Sequence, residues 1–113
     1  MVSVLQSRHS ITWLPFDGGS TIGNRGSEEG TIVRDEEHAL GARITLERGG
    51  VTAPFGLTCG IYGCMVHTAW ASSEAEAIGK YDAMKSRLSD LLDLPPDSEA
   101  EFLRELHRFV ADF

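Results

Sequence analysis

Residues 57–70 read LTCGIYGCMVHTAW, the most apolar stretch of the chain, and their reading decides the fold. Taken as one extended strand, the segment places Cys59, Ile61, Met65, His67 and Ala69 on one side. Tyr62, Cys64, Val66, Thr68 and Trp70 fall on the other, because successive side chains of a strand alternate. Both sides are then apolar, and such a strand has to be covered on both faces. Gly60 and Gly63 become bend or bulge positions. A rival reading turns the chain back at Gly60-Ile61-Tyr62-Gly63 as a hairpin loop. The strand-forming character of Ile61 and Tyr62 favours the continuous form.

Upstream, the pattern is also that of strands. Residues 10–16 (SITWLPF) alternate and stop at Pro15, and residues 2–7 extend them. Residues 17–30 (DGGSTIGNRGSEEG) have the Gly, Ser and Asn content of a long loop. Strands follow over 31–37 and 41–48, with a turn at His38–Leu40. In the second of these, Ile44 and Leu46 oppose Arg43, Thr45 and Glu47, as in a sheet with one wet face. Residues 49–56 form a second loop.

Downstream, the period changes to that of helices. Residues 73–92 carry Ala77, Ile78, Tyr81, Met84, Leu88, Leu91 and Leu92 at helical spacing, after a Ser73/Glu76 capping box. Leu94-Pro95-Pro96 ends that helix. Residues 98–112 repeat the pattern with Phe102, Leu106 and Phe109, with Asp97 or Ser98 as the cap and Ser98 with Glu101 as the expected second box. Strands followed by helices define an α+β domain: an antiparallel meander of about four strands with two C-terminal helices on one face. A single domain of 113 residues hides roughly 65% of its unfolded surface. If the helices cover one face of the 57–70 strand, a second copy of the chain is the economical cover for the other, so a homodimer is expected.

Charge narrows the partners. A net charge of -7, with ten scattered basic residues, supplies no phosphate-reading surface and no attraction to anionic membranes. No segment reaches the ~20 apolar residues of a membrane span, and no leader pattern is visible at the start. Two cysteines make no disulfide framework, which fits a cytoplasmic home.

Few residues carry chemistry. Cys59, Cys64 and His67 include zinc-ligand types, but their spacing matches no standard knuckle. On a continuous strand the two cysteines lie about 16 Å apart on opposite faces. No metal and no cofactor are expected. His67, set in an apolar strand, needs partners for its ring nitrogens, or else serves as a general base in a pocket between sheet and helices. Met65 and Trp70 are the candidates to line that pocket. Asp35 and Glu37 share one side of a strand and form a candidate acid–base pair, though charged strand ends also guard sheet edges. Arg25 in the Gly-rich loop is a candidate anion contact, without a Walker or dinucleotide motif around it. The leading expectation is a non-catalytic interaction or regulatory module; the alternative is a small-molecule-binding protein or minor enzyme centred on His67.

Overall fold

The computed structural model describes residues 12–113. Five strands, β1 (Trp13–Pro15), β2 (Thr31–His38), β3 (Ala42–Arg48), β4 (Phe55–Ile61) and β5 (Met65–Ala71), precede helices α1 (Glu74–Leu92) and α2 (Glu99–Asp112). The sheet is an antiparallel meander in the order β1-β2-β3-β4-β5. From β2 to β5 sequential neighbours pair across short connections, whereas β1 reaches β2 through the long segment 16–30. The expected start of β1 at residues 10–11, and its extension over 2–7, lie outside the described residues.

The single strand expected over residues 57–70 is a hairpin, so the strand count is five. The turn occupies Tyr62, Gly63 and Cys64, one to two residues later than the rival loop over 60–63. Gly63 adopts φ 77°, and the Cys64 N–H donates to the Ile61 carbonyl at 2.9 Å. Only glycine takes that dihedral freely, and an asparagine or glycine is what a turn with positive φ at its third position requires. The Tyr62 N–H is held by the Gly41 carbonyl at 2.9 Å, locking this turn to the neighbouring one. β-propensity at Ile61 and Tyr62 was therefore overridden by one backbone dihedral.

A three-residue turn preserves the alternation, so the odd-numbered residues of both strands face the helices. Leu57, Cys59 and Ile61 of β4 and Ala69 and Ala71 of β5 meet Ala42, Ile44 and Leu46 of β3 in the core. Ala77, Tyr81, Met84, Leu88 and Leu91 of α1 close over them, with Leu106 and Phe109 of α2. Alanine at 42, 69, 71 and 77 keeps the helix-facing surface low, and large side chains at 81, 84 and 88 fill the gap. Burying each large side chain contributes roughly 1.5–3 kcal/mol of transfer free energy.

Polar clasps orient α1. The Tyr81 hydroxyl donates to Glu36 at 2.6 Å and the Lys85 ammonium at 2.9 Å, while Trp13 Nε1 donates to Ser89 Oγ at 3.0 Å. Burial opposes the charge on Glu36, yet the hydrogen bonds from Tyr81 and Lys85 outweigh it and hold the carboxyl below its ordinary range. At the start of α1, Ser73 Oγ accepts the Glu76 N–H at 3.2 Å as expected. The return bond goes to the Ser72 N–H and hydroxyl rather than to Ser73. The second box does not form: Ser98 Oγ donates to the Pro95 carbonyl at 2.6 Å and makes no cap bond to α2. Among the described residues, no helix is long and apolar enough to cross a membrane.

Candidate functional site

The face of the sheet away from the helices is built from three cross-strand rows. One runs Ile32–Glu47–Gly56–Trp70, the next Asp35–Thr45–Thr58–Thr68, and the third Glu37–Arg43–Gly60–Val66. Ile32 and Asp35 share this face only because a bulge between Ile32 and Arg34 inserts Val33, which packs with the core. The middle row is hydroxyl-lined: Thr58 and Thr68 Oγ1 lie 3.3 Å apart. Short side chains at 45, 58 and 60 leave a hollow in the middle of the sheet.

Residues 16–30 wall that hollow on one side. They leave β1 through a short turn in which Asp17, Gly18 and Gly19 all have positive φ. They then run beside β2, where the Gly23 N–H donates to the Ile32 carbonyl at 2.8 Å and the Ile32 N–H to Asn24 at 2.9 Å. Two carboxylates pin the segment from below. Asp35, 3% exposed, accepts Thr21 Oγ1 at 2.7 Å, Arg43 Nε at 2.9 Å, Arg43 Nη2 at 2.7 Å and Thr45 Oγ1 at 3.1 Å. Burial works against its charge, but Arg43, Thr21 and Thr45 together hold the carboxyl below its ordinary value. Arg43 in turn lies over the Phe16 ring, 3.6 Å from its centroid. Glu47, 1% exposed, takes the Gly30 N–H at 2.9 Å and the Glu28 N–H at 3.1 Å. The loop passes so close that a Cβ on Gly26 would run into the Glu47 carboxyl.

Between this loop and the β4–β5 hairpin lies a cleft of about 830 Å³. Thr21, Asn24 and Ser27 edge it on the loop side, Thr45 and Thr58 lie along its floor, and Tyr62 and Val66 stand at the hairpin side. Tyr62 is fixed by donating to Glu37 at 2.6 Å; burial and that carboxylate push its hydroxyl up to about 12. Of the ionised side chains along the cleft, Arg43 is bound to Asp35 and Glu47 to backbone N–H groups, while Arg25 at the edge holds an exposed pair with Glu29. A carboxylate accepts about four hydrogen bonds, and Asp35 already has four.

The residues singled out from sequence separate accordingly. Asp35 and Glu37 do share the open face, but Asp35 is bound to Arg43 and Glu37 to Tyr62, with no shared proton between them. Glu36 and His38 face the helices; His38 Nδ1 accepts the Leu40 N–H at 3.0 Å, so the neutral ring carries its proton on Nε2 and caps the β2–β3 turn. Burial holds His38 below its ordinary range. Arg25 stands at the cleft edge and pairs with Glu29 at 2.8 Å. His67 lies on the helix side, its ring 6.2 Å from that of Phe109, and its buried Nε2 has no hydrogen-bond partner among the described residues. Trp70 is on the opposite face of β5 from His67, and Met65 packs against the core and also lines the cleft. Around His67 the space between sheet and helices is core. A smaller cavity of about 480 Å³ lies between the hairpin turn and the helices, lined by Ile61, Tyr62, Leu91, Leu94 and Phe102 and without His67. The roomier cleft is on the other face. Among the described residues, no three His, Cys, Asp or Glu side chains gather as a metal group. Sequence reading passed over Thr45, Thr58 and Glu47. The one available signal was Thr45 and Glu47 on the wet side of a strand, facing a Gly-rich loop that has to settle somewhere.

Comparison with protein-family models, with curated proteins and with solved structures finds no match for the chain.

Proposed function

We propose that the chain is a non-catalytic binding module that takes an uncharged, hydroxyl- or amide-bearing small molecule in the cleft between residues 21–27 and the β4–β5 hairpin. One observation carries this reading: a cleft of about 830 Å³ whose floor holds Thr45 and Thr58 and whose floor charges, Arg43 and Glu47, are already paired. That volume lies within the range of small-molecule sites. A charged ligand would have to compete with the Asp35–Arg43 clamp, whereas threonine hydroxyls accept and donate to neutral groups without disturbing it. The engagement of Asp35, Arg43 and Glu47 with one another's strands and with the loop favours binding over turnover. Homodimeric assembly belongs to the same proposal, although the covered-strand argument for it falls with the hairpin. Free thiols at Cys59 and Cys64, the second of them exposed, support a reducing, cytoplasmic setting.

The test is thermal shift against a panel of neutral metabolites, paired with Thr58→Tyr, which fills the floor from an open sheet face. A ligand present at about 100 times its Kd stabilises the native state by roughly 2.7 kcal/mol, raising Tm by on the order of 10 °C for a domain of this size. Loss of that shift in the folded variant supports the cleft. A shift that persists in Thr58→Tyr, or no shift from any compound, overturns the reading.

A further inference from the structure

The two edges of the sheet are built differently. Among the described residues β1 is three residues long; it ends at Pro15 and gives way at once to a turn with positive φ. Short length and proline are the ordinary defences against unwanted strand pairing. β5 has neither. It runs seven residues, Met65–Ala71, in unbroken register with β4, and its sequence MVHTAWA contains no acid, lysine, arginine or proline. Val66 on the open face is 80% exposed, the largest fraction among the described large apolar side chains.

One guard does stand on this edge, and it reveals the geometry. Lys80 Nζ of α1 donates to the Trp70 carbonyl at 2.6 Å, so the Trp70 backbone points away from β4. Backbone groups alternate sides along a strand, so those of Thr68 and Val66 point outward as well. Lys80 occupies the Trp70 end, and among the described residues no strand pairs with the Val66–Thr68 half.

We infer that a second copy of this chain pairs its β5 antiparallel to β5 about a two-fold axis at His67, joining the two sheets into one. The inference rests on the homodimer reading above and names its surface. In this register Val66 of each copy exchanges backbone hydrogen bonds with Thr68 of the other, and the Lys80–Trp70 contact is kept. The occupant is a second copy because an uncharged strand meets its own image without opposing charges, although the chain as a whole carries -7. A two-fold axis also makes the contact self-limiting: the defended β1 edges are left outermost, so the sheet stops at two copies. Because Val66 stands at the hairpin side of the cleft, Thr68 of the second copy comes beside it. The Glu37–Arg43–Gly60–Val66 row of one copy then continues into the threonine row of the other, and the partner contributes a hydroxyl to the site.

Sedimentation over 1–200 µM, with amide exchange followed by residue, tests this. A reversible dimer is expected, with the Val66 and Thr68 amides exchanging at least tenfold more slowly at the high end. Thr68→Pro removes an outward N–H, and Val66→Glu places a carboxylate on the pairing surface at an exposed position; each should weaken association at least 100-fold. Should the proline variant fail to fold, the glutamate variant and the exchange data decide. A dimer that survives in the folded variants, or forms without slowing those amides, overturns the edge and leaves the dimer. A wild-type monomer throughout overturns both, while the cleft stands or falls by ligand shift alone.

Discussion

Asp35 and Arg43, on adjacent antiparallel strands, close a two-bond clamp in which Nε meets Oδ1 at 2.9 Å and Nη2 meets Oδ2 at 2.7 Å. The clamp lies beneath Phe16 and Thr21, so it joins the sheet to the loop as well as β2 to β3. Removing the carboxylate leaves Arg43 without its counter-charge and two threonine hydroxyls without an acceptor. Breaking a buried pair from one side costs about 3–5 kcal/mol; Arg43 retains some solvent access, so Asp35→Ala is expected toward the lower end, at about 3 kcal/mol. Urea unfolding at pH 7 measures it, and a loss below about 1 kcal/mol would show that the clamp contributes little.

Acid sensitivity follows from the same carboxylates. Asp35 and Glu36 are both held below their ordinary values of 3.8 and 4.5 in the folded chain. As pH falls, the unfolded chain therefore takes up these protons first. Their stabilisation is complete above the unfolded values and is lost as pH drops through the lower folded ones. Wild-type stability should fall steeply from about pH 4.5 downward, on the unfolded-carboxylate range. The combined Asp35→Asn, Glu36→Gln variant should be less stable at pH 7 and flatter toward pH 3. Equal slopes for the two proteins in denaturant titrations at a series of pH values would contradict this.

Glu47 and Gly26 form a lock in which the carboxylate needs the missing side chain. Gly26→Ala drives a methyl into the Glu47 carboxyl, and Glu47→Gln turns one acceptor into a donor facing the Glu28 N–H. An unsatisfied buried group costs about 1–3 kcal/mol, and each single change should fall in that range. Combining Gly26→Ala with Glu47→Ala removes the collision, so the pair should cost less than the sum of its singles, by at least about 0.5 kcal/mol. Additive losses would mean that the loop and the carboxylate are not coupled.

How far the sequence discloses this arrangement depends on the distance between the residues that decide it. Helix α1 is legible because Ala77, Tyr81, Met84 and Leu88 repeat on a period that any core demands. The α+β order is legible for the same reason. The hairpin at Tyr62–Cys64 is legible only as a rival reading, because Gly63 can serve a bulge or a turn, and the Tyr62–Gly41 bond that holds the turn runs across to another loop. The cleft over the open face is not legible because no single residue there stands out as His67 does on the helix side. The actual floor comes from Thr45 and Thr58, ordinary residues on separate strands that only the register brings side by side. Buried Glu47 reads as a surface charge until Gly26 and Gly30 are seen lying on it.

The helix starts offer a sharper contrast than the sequence suggests. Both α1 and α2 follow a serine with a glutamate three residues on, yet only Ser73 caps its helix. Ser73→Ala should cost about 1 kcal/mol, the usual loss for an N-cap hydroxyl. Ser98→Ala removes only a bond to an exposed carbonyl and should stay within about 0.5 kcal/mol, as surface changes do. Thermal denaturation of the two variants side by side distinguishes them, and equal losses would place a cap at Ser98.

Thiol reactivity checks the hairpin itself. Cys64 sits exposed on the turn, whereas Cys59 faces the helices two residues before the end of β4 and is 2% exposed. Burial pushes the Cys59 thiol up to about 12, so almost none of it is the reactive thiolate at neutral pH. A native titration with an aromatic disulfide reagent at pH 8 should therefore modify one thiol per chain within minutes, and both only in denaturant. Cys64→Ser should abolish the native reaction, while Cys59→Ser should leave it intact at some loss of core packing. Two thiols reacting at equal rates in the folded protein would mean that β4 does not lie beneath α1, and the alternation that places Thr58 and Gly60 in the cleft floor would go with it.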